Sequence, residues 1–308
     1  MEVSLRYLGP ATRRTDAYRN GTLTRWNGAA SQAQSSPFGV RSLLNVTTHH
    51  AAHSRESPVP TIAVVKPILN ISGYRFVELN DAASLRESMY SRALMLGLRG
   101  TVILAGEGIN LALAGLRCAV QTFIDELRAD SRFRDLECKV SECDELPFGR
   151  LRVKLKREII RMNQPAVQPA RRRAPGIDAT TLARWLRNGR DDAGREVLML
   201  DTRNAFEVDH GRFRRALDWR LGKFSDFPGA LQARRDQLKD KTVVSYCTGG
   251  IRCEKAAWWM QQQGIDNVLQ LDGGILKYFE LAGGEHFEGT CFVFDGRTAL
   301  DASLAPAP

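Results

Sequence analysis

The segment Thr242-Val243-Val244-Ser245-Tyr246-Cys247-Thr248-Gly249-Gly250-Ile251-Arg252-Cys253-Glu254-Lys255 restricts the possible folds of this chain more than any other. Its first five residues are a short apolar, β-branched run, the pattern of a strand buried on both faces of a parallel sheet. That strand delivers Cys247 to its carboxyl end, where parallel α/β sheets carry their chemistry. Thr248, Gly249, Gly250, Ile251 and Arg252 then turn the chain into a helix expected over Glu254–Gln263, with Gly264 as its stop. Two consecutive glycines let successive N–H groups point inward. The helix N-terminus adds partial positive charge and Arg252 a full one. Such a cradle favours the thiolate of Cys247 over the thiol, keeps it reachable, and would equally hold a persulfide. The bland alternative is an inert core thiol beside a glycine turn. Cys253 either resolves an oxidised Cys247 as a disulfide or packs in the first helical turn.

The surrounding pattern is strand, helix, strand. Val197–Leu200, Thr242–Tyr246 and Val268–Leu271 are short buried runs; Phe227–Leu238 and a segment opened by Gly273-Gly274 and running to Leu281 are helices. Upstream, Val64–Ile71, Thr101–Ala105, Ile109–Ala114, Leu136–Val140 and Leu151–Leu155 are strand-like, and Asp81–Leu96 and Leu116–Leu127 have helical apolar spacing. The expected class is α/β: a ferredoxin-like split βαβ domain over residues 61–163, then a parallel α/β domain over residues 177–285. Pro165, Pro169 and Pro175 around Arg171-Arg172-Arg173 mark an extended linker at 164–176, and 286–308 forms a C-terminal tail. Residues 1–60 are Arg-rich with no sustained periodicity. They fit a disordered extension, an organelle transit peptide, or upstream sequence translated from a misplaced start. No metal site is expected from His49, His50 and His53.

The chain of 308 residues carries 44 Lys and Arg against 35 Asp and Glu, and the excess is concentrated. Residues 150–173 hold nine basic residues and one acid, and residues 1–60 contribute a further +4, so the remainder of the +9 chain is −3. Arg152, Lys154 and Lys156 alternate with Leu151, Val153 and Leu155, which makes one strand face basic and the other core. With Arg171, Arg172 and Arg173 they form a stripe suited to a phosphate backbone, or a charged edge strand that resists aggregation. Glu107, between Gly106 and Gly108, either approaches a base edge or caps a hairpin tip. Tyr74 and Phe76 either stack a base or belong to the core. Six cysteines in a chain this long argue for a reducing, cytoplasmic setting rather than a disulfide framework. No apolar run is long enough for a membrane span.

The loop, the preceding strand, Asp201-Thr202-Arg203-Asn204 with Glu207, and Leu271-Asp272-Gly273-Gly274-Ile275 resemble the rhodanese family in pattern and order. The resemblance implies sulfur carriage as a persulfide on Cys247. Related phosphatases place the arginine six positions after the cysteine; here Arg252 is five after Cys247, which argues against a phosphatase. Four segments together are similar to the tRNA uridine-34 hydroxylases. They are Asn70-Ile71-Ser72-Gly73-Tyr74-Arg75-Phe76, the run from Gly100 to Asn110, Val153-Lys154-Leu155-Lys156-Arg157-Glu158-Ile159, and Cys247 to Lys255. That likeness spans about residues 62–300. It implies oxygen-dependent conversion of the wobble uridine to 5-hydroxyuridine, with molecular oxygen as co-substrate, no evident cofactor or metal, an unassigned electron donor and the anticodon region of tRNA as partner. A persulfide sulfurtransferase is the alternative, and a non-catalytic binding module with a relic loop is the third. Two departures stand out. Arg215 precedes Ala216 where rhodanese domains usually have glycine, and no Cys-rich tail follows Cys291, so a metal-binding tail is not expected.

Overall fold

Alternating burial builds the first sheet. In the computed structural model, which describes residues 68–307, β1 (Ile68–Phe76), α1 (Ala82–Met95), β2 (Arg99–Ala105), β3 (Gly108–Leu116), α2 (Arg117–Ala129), β4 (Cys138–Cys143) and β5 (Leu151–Leu155) follow in that order. The expectations for residues 1–60 and for the start of the first strand fall outside the described residues. The strand order is β4-β1-β3-β2-β5. β3 runs antiparallel to both β1 and β2, so each strand–helix crossover skips a position, as a split βαβ unit requires. The last two strands take opposite edges, β4 antiparallel to β1 and β5 parallel to β2. All five strand-like runs of this domain thus pair in one sheet. Val102, Leu104, Leu111 and Leu113 face α1 and α2, meeting Met89, Ala93, Val120, Phe123 and Leu127. Each of these side chains larger than alanine contributes about 1.5–3 kcal/mol on burial, enough to fix which strand face turns inward.

The second sheet is parallel throughout. The chain here runs through β6 (Gly176–Ile177), α3 (Ala179–Asn188), β7 (Val197–Asp201), α4 (Ala205–Val208), β8 (Gly211–Phe213), β9 (Leu217–Asp218), α5 (Phe227–Arg234), β10 (Thr242–Tyr246), α6 (Ile251–Gln262), β11 (Val268–Leu271) and α7 (Gly274–Ala282), with β8 outside that sheet. The order β6-β11-β10-β7-β9 puts β10 in the centre, buried at all five residues. Two apolar clusters cover its two faces. Several elements differ from the sequence expectation, which held no counterpart for β6, α4, β8 or β9. α3 has no counterpart in it; Asp178 caps this helix by accepting the Thr181 N–H, and Gly189 closes it in the left-handed conformation. α5 tightens into a 3-10 turn over Arg235–Leu238. α6 begins at Ile251, so Arg252 lies in its first turn rather than at the end of the loop, and Cys253 stands in that same turn, one of its two expected places.

Arg215 adopts φ +58. The local turn is the left-handed one that glycine would normally occupy, held here by a residue for which it costs roughly 1–2 kcal/mol. Residues beyond Glu285 are tied to both sheets. β12 (Phe287–Gly289) pairs with β8, and β13 (Cys291–Phe292) pairs with β14 (Ala299–Leu300). Asn70 of β1 donates to Asp295 at 3.0 Å, and Arg297 donates to Ser141 of β4 at 2.7 Å. The described residues belong to one compact unit. Among them, no helix is long and apolar enough to cross a membrane.

Candidate active site

Cys247 sits where β10 ends, 1% exposed. The sulfur is thus enclosed, not open to solvent as the sequence suggested, yet its surroundings are polar. The Gly250 N–H donates to Cys247 Sγ at 3.1 Å, and Cys253 Sγ lies 3.9 Å away while donating to the Gly250 carbonyl at 2.9 Å. Burial opposes ionisation of Cys247. The Cys253 thiol, the Arg252 charge and the backbone N–H groups of Cys253 and Arg252 outweigh it, and Cys247 is lowered to about 5. Burial and the neighbouring sulfur push Cys253 the other way, well above an ordinary thiol. The pair therefore holds one ionised and one neutral sulfur.

The two loop glycines have different duties. Gly250 has φ +104, the left-handed region that a side chain strains, whereas Gly249 does not need a positive φ and has open space where a Cβ would point. The inward cradle depends on Gly250 alone. Across the loop, a Cβ on Gly274 would stand 2.4 Å from the Cys247 carbonyl oxygen. That close approach lets Ile275 N donate to Cys247 O at 3.0 Å and Leu276 N to Thr248 O at 3.2 Å. The α7 N-terminus thus fixes the loop backbone, while the α6 N-terminus serves the sulfur.

Arg252 is not a free charge. It forms a bidentate pair with Glu207 at 2.5 and 2.6 Å, both side chains buried. Glu207 also accepts the Asn204 N–H at 3.0 Å, which anchors it to the start of α4. Burial opposes the Arg252 charge, but Glu207 raises its affinity for the proton further. Beneath this pair, Asp201 holds fully buried Arg203 at 2.7 Å. The segment from Asp201 to Glu207 is a charge frame under the loop, a role that the sequence pattern located but did not explain.

Five side chains from the first sheet and the segments joined to it reach this loop region. Tyr74 of β1 donates to Glu254 at 3.0 Å, and its hydroxyl lies 3.0 Å from where a Gly250 Cβ would be. Burial, then Glu254, push the Tyr74 hydroxyl up. Lys139 of β4 donates to the Gly273 carbonyl. Burial pushes Lys139 down, and the Cys247 charge is the leading influence against that. Lys255, 1% exposed, bonds Glu107 at 2.9 Å, Glu158 at 2.7 Å and the Ile160 carbonyl at 3.0 Å. Glu107 also accepts the Ile159 N–H at 2.7 Å. Glu107 is therefore more than a bare hairpin tip: it is half of a clamp between the two sheets. Phe76 lies under the same ammonium, 5.8 Å from ring centre to Nζ. Lys139 and Glu158 carried no assigned role in the sequence.

The basic stripe is divided. β5 is an edge strand on which Arg152 is exposed and Lys154 half-buried, with Lys156 exposed just beyond; Val153 is the inward residue and Leu155 remains exposed. In the linker, Arg171 pairs with Glu78 at 2.9 Å and Arg173 with Asp272 at 2.8 Å, while Arg172 borders a shallow depression with Trp258 and Asp266. Two of the three linker arginines thus have carboxylate partners.

Residues 68–159 match a family model described as UPF0176 acylphosphatase like domain, and residues 182–281 match that of the Rhodanese-like domain. The tRNA uridine(34) hydroxylase of Bordetella avium is 60% identical over 239 residues, covering 78% of this chain and 99% of that protein. That of Variovorax paradoxus is 61% identical over 241 residues, with 78% and 92% covered. That of Thiobacillus denitrificans is 57% identical, with 78% and 96% covered.

Proposed function

The chain belongs to the tRNA uridine(34) hydroxylase family, and we propose that Cys247 is the group through which it hydroxylates the wobble uridine. The supporting observation is the Cys247–Gly250 contact within a site that keeps one sulfur ionised. A thiolate there can add to C6 of uracil and place an electron pair on C5. With molecular oxygen as co-substrate, one oxygen atom joins C5 and the other leaves as water. Two electrons and two protons come from a thiol-class reductant. Loss of the C5 proton then expels the thiolate and yields 5-hydroxyuridine. The enclosed sulfur requires the base to leave its stack and enter the loop alone, as base-modifying enzymes demand. The setting is the cytoplasm, and the bound region of the tRNA is the anticodon loop.

Mass spectrometry of tRNA nucleosides from a deletion strain tests this. Loss of 5-hydroxyuridine and its derivatives is expected. Loss of thiolated bases instead would make the chain a sulfurtransferase, which the same loop chemistry also serves.

The edge strand with Arg152, Lys154 and Lys156, together with Arg172, is proposed to follow the tRNA backbone; Arg171 and Arg173 lie beside it in carboxylate pairs. Reversing charge in a Lys154→Glu/Lys156→Glu variant should weaken binding and flatten the dependence of log K on log salt by about 1–2, given roughly 0.7–0.9 per phosphate contact. An unchanged slope in filter binding removes this strand from the interface.

A further inference from the structure

Beside the loop stands an aromatic cluster that no step so far uses. Thr248 donates its hydroxyl to the Phe292 carbonyl at 3.4 Å, which joins the loop to β13. Around Phe292 stand Phe206 at 5.2 Å, Phe294 at 5.1 Å and His210 at 5.2 Å between ring centres. The phenylalanine pairs cross at 85–89°, edge to face, so none is stacked flat on another and ring faces remain for a further partner. Phe206 is 47% and Phe294 65% exposed. Phe206 immediately precedes Glu207, the carboxylate that holds Arg252. The cluster is therefore continuous with the Cys247 loop through Thr248 on one side and Glu207 on the other. Exposed Arg212, Arg214 and Arg215 lie on β8 and the turn after it, and β8 packs against both α4 and β13. Arg214 pairs with Glu288 at 3.2 Å and Arg212 approaches Asp218 at 4.0 Å, whereas Arg215 has no carboxylate within 4.0 Å among the described residues.

We infer that Phe206, Phe292 and Phe294, with His210, form a stacking platform for unpaired nucleobases of the RNA strand that enters the Cys247 loop. This rests on the proposed function, because that function supplies the occupant. Extracting one base for chemistry leaves its neighbours without their stacking partners, and aromatic side chains replace that stacking with little regard to sequence. The exposed arginines on β8 and the turn after it, a strand packed against α4 and β13, suit the phosphates between those bases. The platform would hold the strand in register while the target base is enclosed.

The test uses the full chain and unmodified tRNA. A Phe206→Ala/Phe294→Ala variant removes two exposed rings and should keep its circular dichroism and melting temperature. Its Kd for tRNA should rise about 10- to 100-fold, with KM rising in parallel and kcat falling less. The fluorescence of a Phe294→Trp variant should be quenched by tRNA and by a single-stranded anticodon-loop oligonucleotide, but not by duplex RNA. A Kd within twofold of wild type overturns the platform. So does an altered sedimentation coefficient with unaltered tRNA affinity, which would make the patch a contact between copies of this chain. Failure of the wild-type chain to form 5-hydroxyuridine strikes the proposed function instead, so the two failures are told apart.

Discussion

A Cys247→Ser variant is expected to form no detectable 5-hydroxyuridine in a complemented deletion strain. The loss should be at least roughly 10³-fold, the scale on which an essential nucleophile is felt. The change removes little volume, but it replaces an ionised sulfur with a hydroxyl that stays neutral at pH 7. An ordinary thiol of pKa about 8.5 is only about 3% ionised at pH 7, whereas Cys247, lowered to about 5, is almost entirely thiolate. The sign follows for pH. Alkylation of Cys247 by iodoacetamide, followed by peptide mass spectrometry, should rise as pH increases through about 5 and be flat above about 6.5. Removing the neighbouring sulfur in Cys253→Ala deletes the thiol that lowers Cys247, so the midpoint should move upward. Full modification by Cys247→Ser would remove the thiol from the reaction; an alkylation midpoint near 8.5 would remove the ionised sulfur.

Both sheets were legible in the sequence because their strands are bounded by turn residues and their helices carry apolar spacing. Thr242–Tyr246 could be placed at the sheet centre because every residue in it tolerates burial. α3 was not legible: its apolar face is only Ala179, Leu182 and Ala183, too slight to stand out in a Pro- and Arg-rich neighbourhood. The site was half legible. Cys247, Gly250 and Arg252 are close in sequence, and local spacing is what a motif records. Long-range pairing is not recorded there, so Arg252 was expected to charge the pocket freely. Glu207, 45 residues away, in fact takes its guanidinium on both nitrogens. The carboxylate partners of Arg171 and Arg173 were hidden for the same reason, because both are distant in sequence.

Four segments that carried the family likeness also meet in space, and this gives them a shared physical cause. Tyr74 comes from the first, Glu107 from the second, Glu158 from the third, and Glu254 and Lys255 from the fourth; together they form the junction beside the sulfur. One sheet therefore does more than accompany the other. Its Tyr74 stands beside Gly250 and its Lys139 beside Gly273, and its Glu107 and the nearby Glu158 fix Lys255 two residues beyond Cys253. A chain with the loop but without the first sheet would leave Lys255 and Glu254 without these partners.

Removing Glu207 is expected to be strongly destabilising. In Glu207→Ala, Arg252 keeps its charge in a position 6% exposed but loses both carboxylate oxygens, and the Asn204 N–H loses its acceptor. Breaking a buried pair in this way costs about 3–5 kcal/mol, because the stranded charge cannot be rehydrated. For a folded unit of this size that corresponds to roughly 6–20 °C in Tm. Glu207→Gln keeps the shape and one acceptor oxygen, so its cost should be about half. The effect on the sulfur has the opposite sign. Deleting a carboxylate bound to Arg252 leaves that cation uncompensated beside Cys247, so the alkylation midpoint of whatever fraction remains folded should stay at or below about 5. Calorimetry and alkylation on the same preparations separate the two. A Tm within about 2 °C of wild type would mean that Arg252 reaches solvent readily. A midpoint moved upward would mean that Glu207 assists the thiolate rather than merely holding the arginine in place.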